Sequence, residues 1–433
     1  MPARLAIGAA LAFVLALGAF GLLARGGGGG PAAASAAPAP QLPPPSAGTD
    51  RRIAALQGIV RARPRIADGY TLLAAAYAQK VRETGDAQFY LKAAALLGRA
   101  LALRPGDPGA LTGRGSLELS RHRFAAGLAD ALAARRAAPE AVAPFGVLVD
   151  SLVELGRYRA AGRALQTMAD RKPDLAAYAR VSYWRELHGD VAGAHRAMEL
   201  AASAGGDVPE NAASIDALLS HLDLLRGRLS LAAREARRAL SRFPRYGPAE
   251  AALARVQLAR GDRRGAVRRL RGAVARLPLP EYVILLGEAE EAHEPAAAAR
   301  AFALVRAEQR LLASAGVDTD TELALFEADH GSPQRAVQLA RRAWNAAPSV
   351  RSADALGWAL TRSGRPRAGL HRARRALALG TRDPSFLAHA GLAARAAGEP
   401  GWAALRLAAA RGSAALSPHL ARLLAPAHGE PRP

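Results

Sequence analysis

The stretch "VAPFGVLVDSLVELGRYRAAGRALQTMADRKP", Val142 to Pro173, decides the fold. Its first half sets Phe145, Leu148, Val149, Leu152 and Leu155 at helical spacing, which makes one apolar face. Gly156, Arg157 and Tyr158 make a turn. The second half sets Ala161, Leu165 and Met168 on one face. Pro173 closes the unit, because proline lacks the N–H and clashes with the preceding helical turn. The unit reads helix, turn, helix. Small residues at fixed positions let its two helices approach closely.

This punctuation recurs. Proline stands at 105, 139 and 173, at 244 and 278, and again at 348; the first two intervals and the fourth are 34 residues. In "RALALRPGDPGALTGRGSLEL", Arg99 to Leu119, a helix-forming run stops at Pro105 and an apolar pattern restarts after Pro108. Turn glycines follow the same beat: Gly156, Gly189, Gly227, Gly261, Gly331, Gly364 and Gly398. A small residue follows about five positions after each turn: Ala161, Ala194, Ala232, Ala266, Ala299, Ala336, Gly369 and Ala403, spaced by 33, 38, 34, 33, 37, 33 and 34. A fixed period of this size means stacked repeats, each unable to bury its apolar face alone.

Composition agrees. Half of the 433 residues are hydrophobic but only 5% are aromatic, and Ala, Leu and Arg, all strong helix formers, dominate. Sparse β-branched residues argue against a large sheet. The absence of cysteine excludes disulfides, thiolate metal sites and cysteine nucleophiles. The net charge of +22 is almost entirely arginine, the only lysines being Lys80, Lys92 and Lys172. That bias is what a GC-rich genome produces without selection for polyanions, so nucleic acid is not an expected partner.

The chain divides into four parts. Residues 5–24, "LAIGAALAFVLALGAFGLLA", are uncharged for twenty positions, long enough to span a bilayer as a helix. Residues 1–25 therefore read as an uncleaved signal-anchor with the repeat array outside the membrane; the alternative is a cleaved signal peptide and a secreted array. Residues 26–50, rich in Pro, Gly and Ala, read as a linker. Residues 51–417 hold the array and 418–433 form a tail.

The small residues of the second helices, with Gly115, Ala254, Gly287, Ala324, Gly357 and Gly391 in the first helices and the terminal prolines, resemble the tetratricopeptide repeat family. The resemblance covers residues 67–412. It implies an all-α, right-handed superhelical solenoid of about ten helix-turn-helix repeats that serves as a protein-interaction scaffold. Unit one carries an insertion, "KVRETGDAQFY" at 80–90, and unit seven lacks the turn glycine, with Glu294 in its place. The insertion, "LPLPEYV" and "TRDPSFLAHAG" are similar to an exported, membrane-anchored bacterial subgroup. In this family the first helices line a concave groove for a protein or peptide ligand. The resemblance carries that groove onto Asp150, Glu154, Tyr183, Glu186, His221, Arg255, Glu288, Glu291, Trp358, Arg362 and Arg395. The family's clamp for a C-terminal carboxylate needs Lys, Asn and Arg in three consecutive units; those residues are absent here.

Catalytic motifs are lacking. The ten histidines form no H-E-x-x-H, and no G-x-S-x-G elbow occurs. His330, before Gly331, reads as a helix-end residue favoured by the dipole. "GVDTDTE" at 316–322 lacks the glycine and distant glutamate of a calcium loop and reads as a helix start with acidic first-turn residues. No enzyme, metal or cofactor is expected.

Charge along the chain is uneven. Residues 226–276 hold fifteen arginines against Glu235, Glu250 and Asp262, a balance of +12. Residues 281–330 hold eleven carboxylates against Arg300, Arg306 and Arg310, a balance of −8. Neighbouring units can neutralise one another across such a boundary. The alternative function is a polyanion or anionic-surface module on 226–276, with Arg264, Arg268, Arg271 and Arg276 as a convex row left mostly uncompensated.

Overall fold

The computed structural model describes residues 43–44, 48–205 and 208–425. Every regular element among them is a helix, and there are twenty-two. The first, α1 (Thr49–Ala62), precedes ten helix pairs. The pairs are α2/α3 (Ala67–Thr84, Gln88–Leu103), α4/α5 (Pro108–Ser120, Phe124–Ala137), α6/α7 (Ala143–Glu154, Tyr158–Arg171), α8/α9 (Leu175–Leu187, Val191–Ser203) and α10/α11 (Pro209–Leu225, Leu229–Arg242). They continue with α12/α13 (Gly247–Ala259, Arg263–Arg276), α14/α15 (Pro280–Glu290, Pro295–Ser314), α16/α17 (Asp320–His330, Pro333–Ala346), α18/α19 (Val350–Arg362, Pro366–Ala376) and α20/α21 (Pro384–Ala396, Pro400–Arg411). A short helix, α22 (Pro418–Leu423), lies within the segment expected to be a tail. The fold is an all-α superhelical solenoid.

The expected punctuation sets the helix ends. Pro105, Pro139, Pro173, Pro244, Pro278 and Pro348 each stand two residues past the last residue of a second helix. The two helices of a pair meet through small residues. A Cβ on Gly357 would lie 3.0 Å from the Gly369 carbonyl, and one on Gly391 would lie 2.6 Å from Leu407. Ala266 is fully buried against Ala254 and Leu285. One register assignment is corrected. In unit seven the buried small residue is Ala298, whereas Ala299 is exposed. Without a turn glycine, α14 ends three residues past Gly287 and residues 291–294 lead into α15, with the Glu294 N–H on the Glu290 carbonyl, and the buried small residue comes one position sooner after Gly287 than in the neighbouring pairs.

The solenoid coils tightly enough for successive superhelical turns to touch. The Val350 N–H donates to the Tyr158 hydroxyl at 2.7 Å, across 192 residues. The Asp318 N–H donates to the Arg121 carbonyl at 3.0 Å. At about 34 residues per unit, this spacing puts between five and six units in one turn. Glycine is required where the turns meet. Gly156 and Gly189 have φ of 69° and 78°, and a Cβ on either would lie 2.3 Å from a carbonyl oxygen of the next turn, that of Pro348 or Gly380.

The coiling makes an inner and an outer layer. Eleven of the twelve residues of α6 are buried, whereas its partner α7 buries only Ala161, Ala164, Leu165 and Met168. First helices are thus covered on nearly every face, and second helices keep one face in water.

The expected membrane localisation is corrected. Among the described residues no helix is long and apolar enough to cross a membrane. The segment 5–24 on which that expectation rested lies outside the described residues.

Replacing Gly156 and Gly189 together with alanine is expected to separate the turns. Each change places an L-residue in the left-handed region, at about 1–2 kcal/mol, and drives a methyl into the opposing carbonyl. Small-angle scattering should show a larger radius of gyration with unchanged helical circular dichroism. Gly261→Ala is the control. It has a φ of 79° but open space around its Cβ, so it should lower stability alone.

Candidate functional site

The inner layer encloses two cavities, of about 860 and 330 Å³. Arg255, on α12, lines both. The larger is bounded by α6, α14, α16, α18 and the segment Ser413–Arg422; the smaller by α2, α8, α10, α12 and the start of α20.

Of the expected groove residues, Glu154, Arg255 and Glu288 line the larger cavity, and Tyr183, Glu186, His221 and Arg255 the smaller. The others do not reach these spaces. Asp150 is buried and paired with the buried Arg180, whose Nε and Nη2 donate at 2.9 and 2.6 Å. Arg180 also donates to the carbonyls of Gly146 and Ala176. Trp358 is buried, stacks on His389 with centroids 4.5 Å apart, and donates its indole N–H to Asp329 at 2.7 Å. Arg362 donates to the Ala328 carbonyl at 3.0 Å, and Arg395 is exposed at the end of α20. Glu291 pairs with Arg422 beside His330 and His419. For Asp150 and Trp358 the cause is the tight winding of the superhelix, which turns these first-helix positions towards a neighbouring first helix instead of open solvent, whereas Arg362 and Arg395 are exposed.

Residues that sequence reasoning missed complete the walls. Arg351 opens α18 and faces Glu322 of the preceding unit, 4.0 Å from its Nη2, and Glu154 of the previous superhelical turn. Burial works against its charge, but Tyr183, Glu154, Glu322 and Asp383 hold its pKa above the ordinary arginine value. Burial pushes the Glu154 carboxyl up, with Arg351 and His122 opposing. Behind the wall of the smaller cavity Glu210 is fully buried and accepts from Gln79 at 3.0 Å and from the Tyr246 hydroxyl at 3.0 Å. Gln79 lies 131 residues from Glu210, and Arg351 lies a superhelical turn from Glu154, so no local pattern could reveal these partners. His330, expected as a helix-end surface residue, has a side chain only 2% exposed, wedged between Phe302 and His419.

The outer row is less bare than expected. Arg271 pairs with Glu290 at 2.7 Å and Glu294 at 2.5 Å, and Arg276 with Glu250 at 3.5 Å. Only Arg264 and Arg268 of the four are exposed with no ion pair within 4.0 Å of a carboxylate among the described residues. The basic and acidic blocks thus neutralise one another where α13 meets the end of α14.

No protein-family model and no curated protein matches this chain. Solved structures similar to it include the human IFIT1 dimer with PPP-AAAA, at 13% identity and a TM-score of 0.46, covering 86% of this chain and 95% of that one. The Cut9–Hcn1 hetero-tetramer of the APC/C is similar at 14% identity and a TM-score of 0.36, covering 87% and 92%. TTC0263, a thermophilic tetratricopeptide repeat protein of Thermus thermophilus, is similar at 23% identity and a TM-score of 0.36, covering 40% of this chain and 92% of that one. Several such neighbours are tetratricopeptide repeat proteins, and at these identities the likeness is one of fold.

Two predictions concern the inner layer. Asp150→Ala strands a buried guanidinium and should cost about 3–5 kcal/mol; urea denaturation measures it, and a loss below about 1 kcal/mol would remove the pair from the core. The second concerns His389, whose Nδ1 lies 3.0 Å from Asp354. Burial lowers its pKa, but the charge and hydrogen bond of Asp354, then Asp329 and Asp383, raise it above the ordinary value. A raised histidine contributes stability that is full below its unfolded pKa, about 6.5, and lost as pH rises through its folded value. The melting temperature should fall above that pH, and His389→Gln should flatten the fall.

Proposed function

We propose that the chain binds a segment of another protein within its superhelical lumen, as a non-catalytic interaction scaffold. The observation that supports this most directly is the larger cavity. It is open to solvent, walled by first helices from several units, and carries carboxylates and guanidinium groups beside apolar residues such as Ile284, Leu285 and Leu325. Fixed charges of both signs can set the register of a bound chain, and the apolar wall supplies affinity.

The chain's own segment Ser413–Arg422 illustrates the kind of occupant the wall accepts. It leaves α21, turns into α22, packs on α14, and buries Leu420 to 3% exposure in the hydrophobic cluster that runs on from α14. The His419 N–H donates to Glu288 at 3.4 Å, and Arg422 donates to the Glu288 carbonyl at 2.9 Å. Elsewhere on the wall, Glu154 and Glu322 beside Ile284 and Leu325 offer a partner segment of similar make-up, apolar with a basic residue close by, acidic and apolar partners of the same kind.

A displayed library of random peptides selected on the full chain tests the reading. Selected peptides should bind Arg255→Glu at least tenfold more weakly and bind Arg264→Glu, altered on the outer face, as well as the parent. Failure to select any peptide, or equal binding to the parent and Arg255→Glu, would overturn lumen binding.

A further inference from the structure

We infer that Glu291, His330 and His419 form a binding site for a single divalent ion of the zinc class. The three residues come from three elements: the end of α14, the last residue of α16, and α22. The fold brings one ligand atom from each to within 4.8 Å of the others. His330 Nδ1 is 3.8 Å from Glu291 Oε1, and His419 Nδ1 is 3.7 Å from Glu291 Oε2. An ion equidistant from three atoms at most 4.8 Å apart lies within about 2.8 Å of each, and side-chain shifts of well under about 1 Å then reach the ~2.0–2.1 Å of zinc–imidazole bonds.

The second observation lies behind the rings. Histidine ligands of metals hold their other nitrogen against a carboxylate or carbonyl, which fixes the tautomer and raises basicity. Both rings have such a carboxylate. His330 Nε2 is 3.5 Å from Glu288 Oε1, and His419 Nε2 is 3.5 Å from Asp329 Oδ1. Asp329 is itself fixed by the Trp358 indole N–H at 2.7 Å. Both Nε2 atoms are buried, and neither makes a hydrogen bond of ordinary length. A proton on each Nε2, directed at its carboxylate, leaves the Nδ1 lone pairs free on the side of Glu291. Those are the donor atoms an ion needs.

Charge favours the same conclusion. Glu288, Glu291 and Asp329 supply three negative charges, and Arg422, paired with Glu291, supplies one positive charge. With both imidazoles neutral, the site carries two net negative charges, which a divalent cation cancels. Two imidazoles and a carboxylate, without a thiolate, suit Zn²⁺, Co²⁺ or Ni²⁺ better than Ca²⁺ or Mg²⁺. Three protein ligands leave a coordination position open, and the site borders the larger cavity through His330. One ligand is carried by α22, so the ion fastens that helix to α14 and α16. The inference is independent of what the lumen binds.

The full chain, stripped of metal with a chelator, is titrated with Zn²⁺ by calorimetry and with Co²⁺ by visible absorption. One Zn²⁺ per chain is expected, with Co²⁺ bands typical of a low-coordinate nitrogen and oxygen site. His330→Gln and His419→Gln should each weaken binding by at least about 100-fold, and His371→Gln, on the exposed side of α19, should leave it unchanged. Zn²⁺ should also slow proteolysis between α21 and α22 in the parent but not in His419→Gln. Should His330→Gln lose helical circular dichroism, His419→Gln and an X-ray absorption spectrum of the Zn²⁺-loaded parent decide the matter. Absence of a stoichiometric Zn²⁺ site, binding unaffected by His419→Gln, or a spectrum without imidazole scattering would overturn the site.

Discussion

The contact between successive superhelical turns governs the rest of this molecule. Where Gly156 meets Pro348 and Gly189 meets Gly380, backbone lies against backbone with no room for a Cβ. A looser superhelix would leave its first helices lining an open trough. Here they are walled in by second helices, by neighbouring units and by the opposite side of the coil. Their polar residues have therefore lost water and must find partners within the protein.

They find them at nearly equivalent positions of adjacent units. Asp150 meets Arg180, Glu154 meets Tyr183, Glu186 meets His221, Glu210 meets Tyr246, Asp329 meets Trp358 and Asp354 meets His389. Each pair spans one repeat. The partner types differ from unit to unit, so the ladder has a fixed geometry and a variable chemistry. An unpaired member would leave a buried polar group or charge, which is costly in a low-dielectric interior. The ladder therefore disfavours a slip of one unit against the next. It also explains why so many residues expected in a binding groove are structural: the position faces inward, but in most units inward means another helix.

What the sequence made legible was local. Proline and glycine act on the backbone within a residue or two, so helix ends follow from them directly. Small residues report helix approach within one unit, and the series failed only at Ala299, where the turn glycine was missing and the second helix began one residue sooner after the small residue of the first. The superhelical pitch is different in kind. It sums small rotations over several units, none of which is written in any one residue. The partners of Tyr158, Gly189 and Glu210 were therefore out of reach, as was the meeting of His330 with His419. The histidines looked scattered because their spacing in the chain carries no information about proximity across the lumen.

The arginine excess follows the same division between layers. On the outer layer, long guanidinium side chains reach back to first-helix carboxylates: Arg238 to Asp216, Arg269 to Glu250, Arg271 to Glu290. The pair of Arg114 and Asp130 runs the other way, with the arginine on a first helix and the carboxylate on its second. In each case the carboxylate is the more buried member and the arginine keeps part of its surface in water. A carboxylate with a short side chain cannot reach solvent from beneath the outer helices, whereas arginine can extend an apolar stem over the helix and keep its head hydrated. Arginine on the outside thus permits carboxylates at the helix–helix seam, and those carboxylates confine many arginines to fixed positions. The net charge belongs to the remaining arginines, which are spread over helices and connections. A high overall charge and a weakly charged seam between units are then two results of one packing arrangement.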